Sequence, residues 1–408
     1  VTASAAVERH VEPGARVLLG TAAGAALTLQ RALVEQRDRL AGLRLSSGLQ
    51  LGGYDFMGPV RDGAWTYDTW HVMPAIRDDV ACGRAGLHLM RGSRVAPRIA
   101  ADPPDVFLTV VSPPDKDGYV SLGASVSYAM TACRVAGRVI AEVNPEMPYC
   151  LGDTRVPVSA FAALVDAEQP LPSHVARPPS PEDLRIAEHV RALLPDGATL
   201  QIGLGSVPEA LVSLLGADPP AGLRLYGMGI DQMVAVLPSL GTTPAFVGGE
   251  LLGSRALYAF ADRNPLVEQY PAEVVLSVPH LASIPRFVSL NGALQVDATG
   301  QVNSEWIGGR QVSGPGGSVD FVEAAGLSDG GLSIVALRST ALNGTVSALV
   351  PCLPPGAPVT IPRHSVQVVV TEHGVADLRG LALPARAAAL AAIAAPEFRN
   401  ALVAESSP

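Results

Sequence analysis

Two hydrophobic rhythms alternate along this chain. Short, continuous apolar runs rich in β-branched residues appear at 16–19 within "PGARVLLG", at 106–111 ("VFLTVV") and at 138–145 ("RVIAEVNP"). They recur at 199–202 within "DGATLQIG", 223–231 ("LRLYGMGID"), 273–279 ("EVVLSVP"), 332–339 ("LSIVALRS") and 366–374 ("VQVVVTEHG"). Between them lie segments with apolar positions three and four apart, such as "AALTLQRALVE" (25–35) and "VPEALVSLLG" (207–216). The first rhythm predicts buried parallel strands and the second amphipathic helices. The alternation predicts an α/β protein with mainly parallel sheets, whose ligands sit beyond the C-terminal ends of the strands.

The pattern occurs twice. "PGARVLLG" and "DGATLQIG" share Gly-Ala, an apolar strand and a glycine, and each runs into a helical segment. At nearly the same offset, 106–123 resembles 287–308, with Asp115 and Gly118 falling on Asp297 and Gly300. This predicts tandem domains. The joint is placed at 178–182, where Pro178, Pro179 and Pro181 punctuate the chain and Ser180 reads as the N-cap of a helix. The apolar face of that helix is Ile186, Val190, Leu193 and Leu194. The expected domains are therefore 1–177 and 183–408.

Composition narrows the function classes. The 408 residues are 48% hydrophobic and 16% charged, material for two cores. With 29 basic against 38 acidic residues, the net charge of −9 suits neither nucleic acid nor an anionic membrane. Four scattered cysteines without metal spacing fit a reducing compartment, and no long apolar run or signal core is present. A soluble, cytoplasmic protein is expected.

Three stretches carry candidate chemistry. "IGLGSVPEAL" (202–211) places Gly203, Gly205 and Ser206 between a strand and a helix start, where backbone amides can meet an anion. A tight strand–helix turn explains it equally well. "SGPGGSVDF" (313–321) sets Gly314, Gly316 and Gly317 before an expected strand, as an amide nest or a hairpin. "TEHGVADLRG" (371–380) sets Glu372 and His373 at a strand end, as functional groups or as part of an ion-pair network. The full dinucleotide fingerprint, a G-x-S-x-G nucleophile turn and H-E-x-x-H metal spacing are all missing, so no metal or bound cofactor is expected.

Together, "VSPPDKDGYVSLGASV" (111–126), "VIAEVNPEMP" (139–148), "LQIGLGSVPEAL" (200–211), "LGSRALYAFADRNP" (252–265), the segment 293–322 and "VTEHGVADLRG" resemble the acetyl-CoA hydrolase/transferase family over nearly the whole chain. The resemblance implies two CoA-transferase-like α/β domains, an active site in the interdomain cleft and a homodimer. It also implies a glutamate that carries the acyl group and then CoA, in a segment like T-E-M-x-S-D. Here that segment is Tyr226-Gly227-Met228-Gly229-Ile230-Asp231, with Gly227 in the glutamate's place. The family's basic pattern after S-T-A is also lost, with Leu342, Thr345 and Ala348 at those positions. Three readings follow. One is a divergent family enzyme that acts on acyl-CoA or another acyl thioester, free or carrier-protein-bound. It works without a glutamyl-CoA intermediate, by transfer, cyclisation or hydrolysis, with Glu250, Glu372 or His373 moving a proton, in a setting such as specialised biosynthesis. The second is an ordinary CoA-transferase with its carboxylate displaced to Glu250. The third is an inactive binding or scaffold subunit.

Overall fold

The computed structural model describes residues 1–175 and 177–404. Residue 176 and the last four residues of the expected C-terminal domain, 405–408, lie outside the described residues. The chain folds into two compact units. Unit 1 holds Val1–Val175, Gly229–Asp231 and Phe246–Val275; within the described residues, unit 2 holds 177–228, 232–245 and 276–404. After leaving unit 1 near the proline joint, the chain therefore returns to it twice.

Unit 1 is built on a seven-stranded parallel sheet. Its strands are β1 (Arg16–Leu19), β2 (Arg44–Ser47), β3 (Thr66–Thr69), β4 (Ala85–Leu87), β5 (Val106–Val111), β6 (Arg138–Val143) and β7 (Ala163–Asp166), in the order β7-β6-β5-β1-β2-β3-β4. The chain winds outward one way from β1 and the other way from β5. The topological switch point thus lies between these two strands. β5 is buried at every position, as a strand covered on both faces must be. Helix α1 (Leu27–Glu35) follows β1; the Leu29 amide in its first turn donates to Glu142 Oε1 at 2.7 Å. Burial pushes the Glu142 carboxyl up to about 7, opposed by that amide.

Unit 2 repeats the plan. Helix α2 (Pro181–Arg191) opens it with the expected cap: Ser180 Oγ accepts from the Asp183 amide, and the Asp183 carboxylate accepts from the Ser180 amide. β8 (Thr199–Ile202) leads into α3 (Ser206–Leu215) and then β9 (Arg224–Gly229). Two further strands, β10 (Phe246–Leu251) and β11 (Val267–Gln269), pair in parallel and belong to unit 1, as does α4 (Arg255–Ala261). The chain continues in unit 2 with β12 (Phe287–Gly292), α5 (Ser318–Leu327), β13 (Leu332–Ala336), β14 (Val368–Thr371) and β15 (Gly374–Asp377). β9, β8, β12, β13 and β14 run parallel in that order, and β15 closes the edge antiparallel. The switch point here lies between β8 and β12, the counterparts of β1 and β5.

The internal repeat extends to hydrogen bonds. The Arg44 amide donates to the Ala15 carbonyl at 3.0 Å, as that of Arg224 does to Ala198 at 3.0 Å. Asp115 Oδ1 accepts from the amides of Asp117 and Tyr119, closed by Gly118 at φ 78°. Asp297 Oδ1 accepts from Thr299 and Gln301 in the same way, with Gly300 at φ 95°. Glycine is required in both turns because other residues adopt this backbone at a cost.

Two expected strands are helices. "EVVLSVP" forms Ala272–Val275 and Val278–Ala282, because Ser277 Oγ caps the His280 amide and Pro279 sits in the first turn, where its missing N–H costs nothing. "SVDF" opens α5 rather than a strand after Gly317. Phe321, Val322, Ala324 and Ala325 are its buried apolar positions, a helical spacing that a four-residue window cannot display. Among the described residues, no helix is long and apolar enough to cross a membrane.

Candidate functional site

In unit 1 the switch point carries a buried carboxyl group. Glu250 lies on β10, which is held against the segment following Leu122. The amides of Val126 and Ser127 both donate to the Gly249 carbonyl, at 3.0 and 3.1 Å, and the Leu251 amide donates to Ala124 at 2.8 Å. These bonds turn Glu250 towards the hydroxyls of Ser125 and Ser127. Ser125 Oγ is already committed, donating to the Thr21 carbonyl at 2.7 Å just beyond β1. Both Glu250 carboxyl oxygens are sealed from solvent and neither is in a hydrogen bond of regular geometry, although the Ser125 and Ser127 hydroxyls lie close enough to act on the carboxyl. Burial pushes this carboxyl up to about 8, and the two serine hydroxyls oppose it only in part. Most buried carboxyls are fully hydrogen-bonded; one without a regular hydrogen bond at a sheet's ligand-binding end calls for a functional explanation.

Gly227 lies on β9 at φ 101°, and a Cβ there would stand 2.6 Å from the Ile202 carbonyl oxygen. The backbone that positions this strand therefore has no place for a side chain at 227. The Gln201 side chain packs alongside, its Oε1 accepting from Asn291 Nδ2 at 3.3 Å. Asp231, the acid that ends this segment, accepts from the Ser254 amide and hydroxyl at 2.8 and 3.0 Å. It caps the turn into α4.

In unit 2 the switch point opens into a cavity of about 360 Å³ lined by Leu204–Pro208, Leu290–Gly292, Asp183, Ala336, Arg338, Thr340 and Ala341. Gly205 and Ser206 line this cavity, and Gly203 begins the same turn. Gly314, Gly316 and Gly317 do not line it. They form the entry to α5, tied down by the Val312 and Ser313 amides on the Glu305 carbonyl at 2.7 and 3.2 Å. A second cavity, about 620 Å³, shares Arg338, Thr340 and Ala341 with the first and adds Glu182, Arg185, Glu372, His373 and Glu397. Glu372 is held by the Ser339 amide and hydroxyl at 2.8 and 2.6 Å, so its carboxylate is already engaged. His373 Nε2 lies 3.7 Å from Glu372 Oε1.

Arg338 Nε and Nη2 grip Asp183 at 2.8 and 2.6 Å. Burial works to raise that carboxyl, yet Arg338, the Ser180 amide and the Ser206 hydroxyl hold it below its ordinary value. The stretch 339–351 forms a hairpin, Thr340–Ala341 against Val346–Ser347, with Leu342 and Asn343 in the left-handed region at its tip. Sequence reasoning missed Asn291 and Arg338. Both sit just past or at the end of apolar strands, which was the available signal. Among the described residues, no group of three His, Cys, Asp or Glu side chains is arranged to hold a metal ion.

Known proteins share this plan. The chain is 37% identical to a 4-hydroxybutyrate coenzyme A transferase of Clostridium kluyveri, over 99% of this chain and 96% of that protein. RipA from Yersinia pestis superposes with a TM-score of 0.92 at 29% identity, covering 100% of this chain and 96% of RipA. A 4-hydroxybutyrate CoA-transferase from Porphyromonas gingivalis superposes with a TM-score of 0.82 at 31% identity, covering 99% and 96%. The acetyl-CoA hydrolase/transferase N-terminal domain matches residues 1–175 and the corresponding C-terminal domain residues 253–406. With both family domains matched in order, over well more than half of its length, the chain belongs to the acetyl-CoA hydrolase/transferase family.

Proposed function

We propose that this protein transfers or hydrolyses an acyl thioester with Glu250 as its working carboxyl group. The observation that carries the reading is the state of that carboxyl: buried at the switch point of unit 1, with neither oxygen in a hydrogen bond of regular geometry. A side chain at 227 has no room, so a carboxyl must come from elsewhere if the family's covalent chemistry is retained. In that chemistry ionised Glu250 adds to the thioester carbonyl and expels the thiolate, leaving a mixed anhydride. The thiolate then attacks the Glu250 carbonyl, releasing the acyl carboxylate and forming a glutamyl thioester. Water completes hydrolysis. Alternatively, an incoming carboxylate displaces the thiolate, which then takes up the new acyl group and frees Glu250.

A second reading keeps Glu250 but uses it as a proton carrier, with water or another protic acceptor attacking directly. Its support is the raised pKa, about 8, which leaves the carboxyl mostly protonated at neutral pH and suited to general acid–base work. The test is turnover of a panel of acyl-CoAs at high concentration with labelled acetate, followed by borohydride reduction and mass spectrometry of the peptide containing residue 250. Reduction at Glu250 supports the covalent path. Turnover without it, lost in Glu250→Gln, supports the proton carrier. Turnover that survives in Glu250→Gln sinks both, and absence of any turnover leaves the inactive binding or scaffold reading.

A further inference from the structure

The two contiguous cavities of unit 2 carry an excess of negative charge. Their lining includes four carboxylates, Glu182, Asp183, Glu372 and Glu397, against two guanidiniums, Arg185 and Arg338, leaving a formal charge of −2. Both guanidiniums are engaged. Arg185 pairs with Glu182 at 3.1 Å, and Arg338 clasps Asp183 through two nitrogens. Asp183 is buried, so withdrawing Arg338 to meet a phosphate would strand a buried carboxylate. The outer lip of the groove, Leu342 and Asn343, is uncharged, and Leu342 is 75% exposed. The remaining polar lining is Ser206, Asn291, Ser339, Thr340, Asn343 and His373, and the charge of −2 counts that imidazole as neutral. Such a surface matches amides and repels a polyphosphate, because like charges across a site act against binding.

We propose that the thioester this groove receives is carried on a pantetheine arm lacking the 3′-phosphoadenosine diphosphate of coenzyme A. Pantetheine is uncharged and presents two amides to the neutral donors and acceptors; the nucleotide end of CoA would bring several negative charges to a lining already negative. The same arm occurs free, as a pantetheine or 4′-phosphopantetheine thioester, and attached to a carrier protein. The inference rests on the acyl-thioester reading above, and on this groove as the place where the thioester's arm lies.

Calorimetry on the full chain, with Glu250→Gln alongside to read binding without turnover, would compare pantetheine, 4′-phosphopantetheine, 3′-dephospho-CoA and CoA. Values of kcat/KM for the acetyl thioesters, including an acetylated acyl carrier protein, would accompany them. Pantetheine is expected to bind at least as tightly as CoA. CoA binding is expected to tighten with added salt as repulsion is screened. Placing a cation on the exposed lip, Leu342→Lys, should raise the ratio of CoA to pantetheine affinity about fivefold, the worth of one added charge-assisted contact. A kcat/KM for the carrier-bound arm well above that for the free thioesters identifies the carrier as the source; the reverse identifies the free thioester. CoA binding tenfold tighter than pantetheine, weakened by salt, would overturn this inference and leave Glu250 untouched. If none of the thiols binds, the groove is not a thioester site, and the inference falls with that assignment.

Discussion

Replacing Glu250 by glutamine should make the protein more stable as the solution becomes more alkaline, relative to the parent. The folded parent holds the Glu250 proton up to about pH 8, whereas the unfolded chain releases it near the ordinary glutamate value of 4.5. Between those limits the folded state binds more protons than the unfolded state, so stability falls as pH rises. Any stability associated with this proton is complete below pH 4.5 and lost progressively towards pH 8. Each pH unit in the window costs about 1.4 kcal/mol. Over pH 5 to 8 the parent should therefore lose about 4 kcal/mol relative to Glu250→Gln, whose amide does not titrate. Equilibrium urea denaturation of both proteins at pH 5, 6, 7 and 8 measures this directly. Parallel curves across that range would show that Glu250 titrates normally and is not held neutral by its surroundings.

Further expectations follow from the same geometry. If ionised Glu250 is the working species, kcat/KM should rise about tenfold per pH unit below pH 8 and level off above it, as a stopped-flow pH profile would show. Gly227→Glu should not rescue the Glu250→Gln variant. The added Cβ, 2.6 Å from the Ile202 carbonyl at φ 101°, should cost about 2–4 kcal/mol in urea denaturation. Asp183→Asn removes a capping-box acid and leaves Arg338 without its partner; with Arg338 half-exposed, a loss of about 2–3 kcal/mol is expected. Adding Arg338→Met to Asp183→Asn should cost less than the two single losses combined, a coupling that a double-mutant cycle reads.

Local features of the sequence translated well into structure. Ser180 with Pro181 and Asp183 specified a helix start within four residues, and the structure places a capping box there. The match of Asp115 and Gly118 to Asp297 and Gly300 was legible as a repeat, and the structure shows that each pair closes a turn. The short apolar stretches were ambiguous for a local reason: "EVVLSVP" and "SVDF" are too brief to reveal their period, and a serine cap with a first-turn proline makes the former helical while the latter starts a helix after Gly317. Glu250 could be picked out as a candidate, but not its environment. Thr21 and Ser125, which shape its surroundings, are supplied from positions far away in the chain, by the packing of β10 against the 124–127 segment. The neutral hairpin at 340–347 was visible as missing basic residues. Its meaning emerged only with the carboxylates gathered around it by α2 and β14.

The return of β10 and β11 to unit 1 bears on how this gene can be cut and recombined. A crossover at the proline joint would inherit Thr21, Ser125 and Ser127 from one parent and Glu250 from the other. A hybrid made with a relative whose carboxyl stands elsewhere would thus receive a cradle without its acid, or an acid without its cradle. The same holds for expression: a fragment ending at the joint leaves the amides of Val126 and Ser127 without the Gly249 carbonyl they need. Unit 1 is complete only at Val275, and a cut there would sever unit 2, which already holds 177–228 and 232–245, so neither unit can be inherited, trimmed or shuffled without the other.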